Sequence, residues 1–400
     1  MSDLLAMRYA LCPMPAVMVT IFICLNTVSE TKFAKDGKMA LKHIEEYRDS
    51  KLSKNLIEKI KRLSTRDIRL MEVCGTHTVS IFRSGIRTVL PPTISLLSGP
   101  GCPVCVTDQA EIDAFIELSR MEGVIITTFG DLMRVPGTTS SLQKQRAEGK
   151  DIRVVYSTFD ALEIAKKNPD KKVVFLGVGF ETTAPTIAAA IFSAEQMKVE
   201  NFSVICAHKL VPPALEALMA TENVMIDGFI LPGHVSVIIG EKAYLPFYNH
   251  HQIPCVIAGF EPTDILQAIG MLVEQIENGA PRLENAYARA VTYEGNTKAQ
   301  EMLDKVFEPA DACWRAIGVI PQSGLKIREN YEAHDAGKIF DIKVTGSLDP
   351  KGCACGEILT GTKTPPECPL YKTVCTPIDP VGPCMVSTEG TCAAYYKYHV

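Results

Sequence analysis

The stretch KKVVFLGVGFETTAPT, residues 171–186, decides the fold. A short apolar run rich in β-branched residues ends in a glycine-containing polar loop, and an amphipathic helical segment follows. The same sequence of events recurs at IRLMEV (68–73), TISLL (93–97), GVIITTF (123–129), IRVVYS (152–157), FSVICA (202–207), DGFIL (227–231) and IPCVIAG (253–259). Near-continuous apolar runs that alternate with helices mark parallel strands covered on both faces. The region from about Ile68 to Leu272 therefore reads as α/β, with strands enough for one large sheet or two Rossmann-like halves. The polar segment SSLQKQRAEGKD (140–151) favours a division there or slightly after.

The unusual residues follow those runs directly. CGTH (74–77) follows the first and GPGCPVC (99–105) the second, with GFETT (179–183), AHK (207–209) and PGHVS (232–236) after later ones. Ligands of open parallel sheets bind in the crevice at the carboxyl ends of the strands. Five polar loops at equivalent ends are expected to converge on one cleft.

The 400 residues are enough for two or three domains, and 46% hydrophobic with 22% charged residues is a globular composition. A net charge of −5 without runs of lysine or arginine argues against a nucleic-acid surface. Residues 10–25, ALCPMPAVMVTIFICL, are apolar but broken by Pro13 and Pro15, too short to span a bilayer and poor as a signal peptide. Residues 1–38, with Cys12 and Cys24, read as an extension or misplaced start, and Met39 as the opening of the domain. No membrane role is expected.

Fourteen cysteines are present, and six of them, Cys353, Cys355, Cys368, Cys375, Cys384 and Cys392, fall in the last 48 residues. Clustering in a long aliphatic chain fits metal or redox chemistry in a reducing compartment, the cytoplasm. From about Pro281 the character changes: residues 282–312 look helical, and the tail beyond Gly352 is too poor in periodic apolar residues to hold itself together. Its pattern C-x-C-x(12)-C-x(6)-C-x(8)-C-x(7)-C supplies only one close pair, whereas structural zinc usually takes two. An iron–sulfur cluster is favoured, with zinc and plain disulfides as alternatives. A 4Fe–4S cluster takes four thiolates and leaves two over.

Cys102 and Cys105 resemble a dithiol redox pair. Asp108 and Glu111 form a capping box for the next helix, whose positive end would lower both thiol pKa values. The preceding Gly-Pro-Gly argues for exposure. Cys74 and His77 can offer a soft thiolate and an imidazole to one metal, although His77 could instead satisfy a backbone carbonyl. Glu181 sits in a strand-to-helix turn that lacks both GxGxxG and a P-loop lysine, so it orients a ligand, moves a proton or caps a helix. His234, after Pro-Gly in a turn, leans toward function; His208 divides similarly. Cys206, Cys255 and Cys313 read as small core hydrophobes.

Together EVCGTHT, GPGCPVCVT, GFETTAPT, LPGHVSVIIG and GPCMVSTEGTCAAYYKY resemble the HypD family of NiFe-hydrogenase maturation factors. The resemblance runs in order from about Tyr47 to the C-terminus, and the leading 38 residues have no counterpart. It implies two Rossmann-like parallel-sheet domains flanking a cleft, here 39–165 and 166–290, plus a C-terminal iron–sulfur domain, 291–400. It also implies a scaffold that assembles the Fe(CN)2CO unit with the chaperone HypC and accepts cyanide from the carrier HypE. By motif, Cys74, helped by His77, would bind iron; Cys102 and Cys105 would be the redox pair; Glu181 and His234 would line the site. Cys355, Cys368, Cys375 and Cys384 are the favoured cluster ligands, with Cys353 and Cys392 as an outer, disulfide-capable pair. Two other classes stay open: an iron–sulfur-dependent protein disulfide reductase, and a zinc-stabilised interaction protein.

Overall fold

The computed structural model describes residues 50–221, 224–342, 344 and 349–398. The expectation for residues 1–38 lies outside them. Each of the eight apolar runs forms a strand: β1 (Ile68–Glu72), β2 (Ile94–Ser98), β3 (Val124–Thr128), β4 (Ile152–Val154), β5 (Lys172–Gly177), β6 (Phe202–Cys206), β7 (Gly228–Pro232) and β8 (Cys255–Ala258). Three more follow, β9 (Leu283–Asn285), β10 (Phe307–Trp314) and β11 (Gly318–Ile327).

The strands form a five-stranded parallel sheet of order β2-β1-β7-β8-β9, a four-stranded parallel sheet of order β4-β3-β5-β6, and an antiparallel β10-β11 hairpin. Two α/β sheets are therefore present, but not divided at residue 165. That boundary falls between β4 and β5, which belong to one sheet. The chain leaves the first sheet after β2, builds the whole second sheet, and returns at β7. Apolar runs reveal where strands are, not which neighbour each one pairs with. The segment 140–151 is likewise no division: it carries a helix, Leu142–Ala147, capped by Ser141, between two strands of the second sheet.

Residues 282–312 also differ from the helical expectation. The helix is confined to Thr297–Val306, capped by Asn296, whose side chain accepts the Ala299 N–H at 3.1 Å. Strands β9 and β10 flank it.

Apolar cores hold the layers. The helix Pro262–Glu277 lies between the first sheet and the helix Ser50–Leu63. Its Ile265, Ile269, Leu272, Val273 and Ile276 recur at helical spacing on the buried side. Each such side chain contributes roughly 1.5–3 kcal/mol by leaving water. The tail, as expected, builds little regular structure. It is seated on the first sheet's loops instead: the helix Thr391–Tyr398 packs on the helix Gly75–Arg83, with Tyr395 and Phe82 ring centroids 4.5 Å apart.

Candidate metal and thiol site

Parallel pairing of β1 with β2, with Glu72 opposite Ser98, sets their carboxyl ends side by side. The two loops that follow are hydrogen-bonded to each other. The Gly99 N–H donates to Glu72 O at 2.8 Å, and the Gly75 N–H to Gly101 O at 2.9 Å. Gly101 lies directly on the Cys74 backbone: a β-carbon there would stand 2.1 Å from Cys74 N. Only glycine permits this approach. Gly101→Ala is therefore expected to destabilise the chain by about 1–3 kcal/mol and to separate the two loops. Thermal melts check this, with Gly130→Ala as control, since a β-carbon at Gly130 meets only Val154 Cγ1 at 3.8 Å.

Cys102 and Cys105 are joined as a disulfide, Cα atoms 5.2 Å apart, at the start of the short helix Pro103–Val106. The capping box is present: Asp108 Oδ1 accepts from Ala110 N–H at 2.9 Å, and the Asp108 N–H donates to Glu111 Oε2 at 2.9 Å. The expected exposure is not. Cys102 is 4% and Cys105 0% exposed, because the Gly-Pro-Gly segment packs inward on β1 rather than outward.

Cys74 caps the helix Gly75–Arg83. Its thiol is pushed up to about 12, first by burial and then by the nearby Glu389 carboxylate, while backbone N–H groups of His77 and Thr76 offset part of this. Such a thiol stays protonated at neutral pH and becomes a thiolate when a cation takes the proton's place. Glu72, with one oxygen on Cys74 N–H at 3.1 Å, is likewise pushed up to about 7 by burial.

His77 takes the backbone-carbonyl role that the sequence left open. Its Nε2–H faces Gly259 O at 2.9 Å and Ala258 O at 3.2 Å. That bond leaves the lone pair on Nδ1, which has no partner among the described residues. Burial lowers its pKa to about 4, so the ring is neutral and able to ligate. His77 and His234 both stack on Phe260, centroids 4.8 and 3.9 Å away. His234 opens the helix that follows β7, the other neighbour of β1, and burial holds it at about 4 as well. The CxxC, CGTH and PGH loops thus come from three adjacent strand ends.

Glu181 enters from the second sheet. It caps a helix, though not the one after it: Oε1 accepts the Val211 N–H at 2.8 Å, at the start of the helix Val211–Ala220. Its Oε2 has no partner among the described residues, and burial pushes the carboxyl up to about 7. The fully buried Tyr244 places its hydroxyl 3.1 Å from Ser236 Oγ, on the helix that carries His234, and burial raises its pKa. His208, by contrast, turns to Cys206, with Nδ1 and Sγ 3.1 Å apart. Cys313 is not a core residue but half-buried, 3.3 Å from Asp108 Oδ2, while Cys255 is buried as expected.

The tail closes over this group. Thr76 Oγ1 donates to Glu389 Oε1 at 2.7 Å, and a β-carbon on Gly75 would stand 2.6 Å from Glu389 Cβ. Neither Glu389 nor Tyr244 carries a sequence signal, because only the tertiary approach brings them here. All six tail cysteines are free thiols in one knot. Cys355 and Cys384 sulfurs lie 2.9 Å apart, Cys368 accepts the Ala354 N–H at 3.5 Å, and Cys375 the Val381 N–H at 3.4 Å. Cys392 is held up by burial and by charge on Cys355, Cys353, Cys375 and Cys368. So many thiols cannot ionise together without a cation. Among the described residues, the three-donor set with all ligand atoms within 4.8 Å is Glu216, His250 and His251. Soft, buried tail thiols that accept N–H···S bonds suit iron–sulfur ligation. The helix Pro383–Val386, bearing Cys384, packs on the Pro103–Val106 helix of the disulfide.

With that geometry in place, comparison with known proteins is decisive. The family model HypD, described as "Hydrogenase formation hypA family", matches residues 51–399. The chain belongs to the HypD family. It is 47% identical over 352 residues to a putative hydrogenase expression/formation protein of Methanocaldococcus jannaschii, covering 88% of this chain and 98% of the relative. It is 45% identical over 367 residues to the hydrogenase maturation factor HypD of Azotobacter vinelandii, covering 90% and 97%. The HypD of Cupriavidus necator is 44% identical over 368 residues, covering 90% and 97%. HypD membership makes hydrogenase maturation the family's field of action. Among the described residues no helix is long and apolar enough to cross a membrane.

Proposed function

We propose that the chain is a cytoplasmic scaffold on which hydrogenase iron acquires carbon monoxide and cyanide. It works with a HypC-type chaperone and a HypE-type cyanide carrier. The observation that supports this is the seating of Gly101 on Cys74, which sets the buried Cys74 thiol beside the Cys102–Cys105 loop. Cys74 supplies the soft ligand for the iron cargo, suited to an ion that also binds strong-field carbon monoxide and cyanide. His77 Nδ1 is its candidate partner, and Glu181 and His234 line the same centre. Burial keeps the site dry and limits hydrolysis of its intermediates.

Release of cyanide from a carrier thiocyanate needs two electrons. The reduced Cys102–Cys105 pair provides them. The carrier S–CN bond breaks, and cyanide passes to iron with the bonding electron pair. One of the pair's protons goes to the carrier sulfur and the other to solvent, while the two thiols close to a disulfide. A 4Fe–4S cluster held by Cys355, Cys368, Cys375 and Cys384 supplies, when bound, one-electron equivalents for restoring the dithiol, leaving Cys353 and Cys392 as the outer pair.

The test is anaerobic isolation of the full chain with metal and sulfide analysis. About four irons and four acid-labile sulfides per chain are expected. Zinc without sulfide would replace this reading by a zinc-stabilised interaction protein.

A further inference from the structure

Arg315 lies in the turn of the β10–β11 hairpin and is 2% exposed. It is tied by three bonds to the end of the disulfide-bearing helix and the start of the helix Gln109–Arg120. Its backbone N–H donates to Val106 O at 2.9 Å, its Nε to Thr107 O at 3.0 Å, and its Nη1 to Gln109 Oε1 at 2.9 Å. Nη1 also pairs with Asp349, a carboxylate 61% exposed and therefore well screened. Nη2 is buried with no partner among the described residues.

The other side of Arg315 faces the tail. A β-carbon on Gly356 would stand 2.8 Å from Ala316 Cβ, so the Cys355–Leu359 helix rests against the same turn. Arg315, Cys353, Cys355 and Pro383 line one cavity of ≈ 490 Å³. A buried guanidinium with hydrogen-bonding capacity to spare, balanced among the described residues by a screened carboxylate, calls for more negative charge nearby.

We propose that Arg315 is a positioning residue for electron transfer, a cation clamped between the Cys102–Cys105 helix and the tail thiolates that favours the reduced state of the group they hold. This rests on the reading of the tail as a 4Fe–4S site. One-electron reduction adds one negative charge, and a nearby fixed positive charge stabilises that state in a low-dielectric interior.

The test is a mediator-based redox titration of the anaerobically reconstituted full chain, followed by electron paramagnetic resonance, with iron and sulfide counted in every sample. Arg315→Gln is expected to shift the reduced-to-oxidised ratio at fixed ambient potential at least about tenfold toward oxidised, 59 mV for one electron. Arg315→Lys keeps the charge and is expected to stay within about threefold of the parent, although both variants lose bonds and melt earlier. Asp349→Asn removes a screened, exposed carboxylate and is expected to stay within about threefold of the parent. A fully loaded Arg315→Gln with the parent midpoint overturns the proposal. Where that variant does not load, a loaded Arg315→Lys whose ratio departs more than about threefold from the parent overturns it. A parent chain without acid-labile sulfide sinks the reading of the tail, and the role of Arg315 with it.

Discussion

Cys74→Ala is expected to lower hydrogenase maturation on the order of 100-fold or more, beyond the loss typical of an outer partner of a metal site. The chain itself should survive the change. Cys74 is a small buried residue whose thiol takes no part in the β1 ladder, and the helix it caps has no side-chain cap bond to lose. The tail thiols are untouched, so sulfide and cluster iron should match the parent. Maturation is read as hydrogenase activity in cells carrying the variant, and folding by circular dichroism. A free-standing disulfide reductase has no use for Cys74. Near-parental maturation by Cys74→Ala would therefore remove the iron site from the account.

The second large effect is expected at the disulfide. Cys102→Ser and Cys105→Ser should each reduce maturation on the order of 100-fold, and the double variant should be no worse than either single one, because the two thiols act as one two-electron unit. The loss is chemical rather than structural. The bridge closes a loop of sequence separation 3, so it constrains the unfolded chain little. Serine at either position keeps the volume of the site, and the Gly99–Glu72 and Gly75–Gly101 bonds hold the loops without the bridge. Full cluster content with lost maturation is the expected signature. A double variant that matures hydrogenase at the parental rate would show that cyanide is released by other electrons.

All eight strands of the two parallel sheets up to Ala258 were legible as apolar runs, because strands buried on both faces need no alternation. The placement of CGTH, CxxC and PGHVS at strand ends followed from the runs themselves. Strand pairing was not legible: nothing in IRLMEV says that its second neighbour is DGFIL, 159 residues downstream. Strand β9 was too short for a pattern, and β10 carries Pro309 and a register shift between Ala310 and Ala312 that blur its alternation. Within the site, residue types were readable and orientations were not. Gly-Pro-Gly signals a tight turn but not that Gly101 turns inward on Cys74. Glu181 signals a cap but not that it reaches Val211. Glu389, Tyr244 and Arg315 matter through approaches between segments distant in sequence, which composition and spacing do not encode.

On the proposed function, this chain holds an iron ion through Cys74 while the ion gains its diatomic ligands. The infrared spectrum of the anaerobically prepared complex with the small chaperone tests it most directly. Bands of iron-bound carbon monoxide and cyanide are predicted for the parent chain, and their loss for Cys74→Ala at unchanged sulfide content. A parent complex that carries cluster iron and shows none of these bands would contradict the account and leave a generic iron–sulfur redox protein.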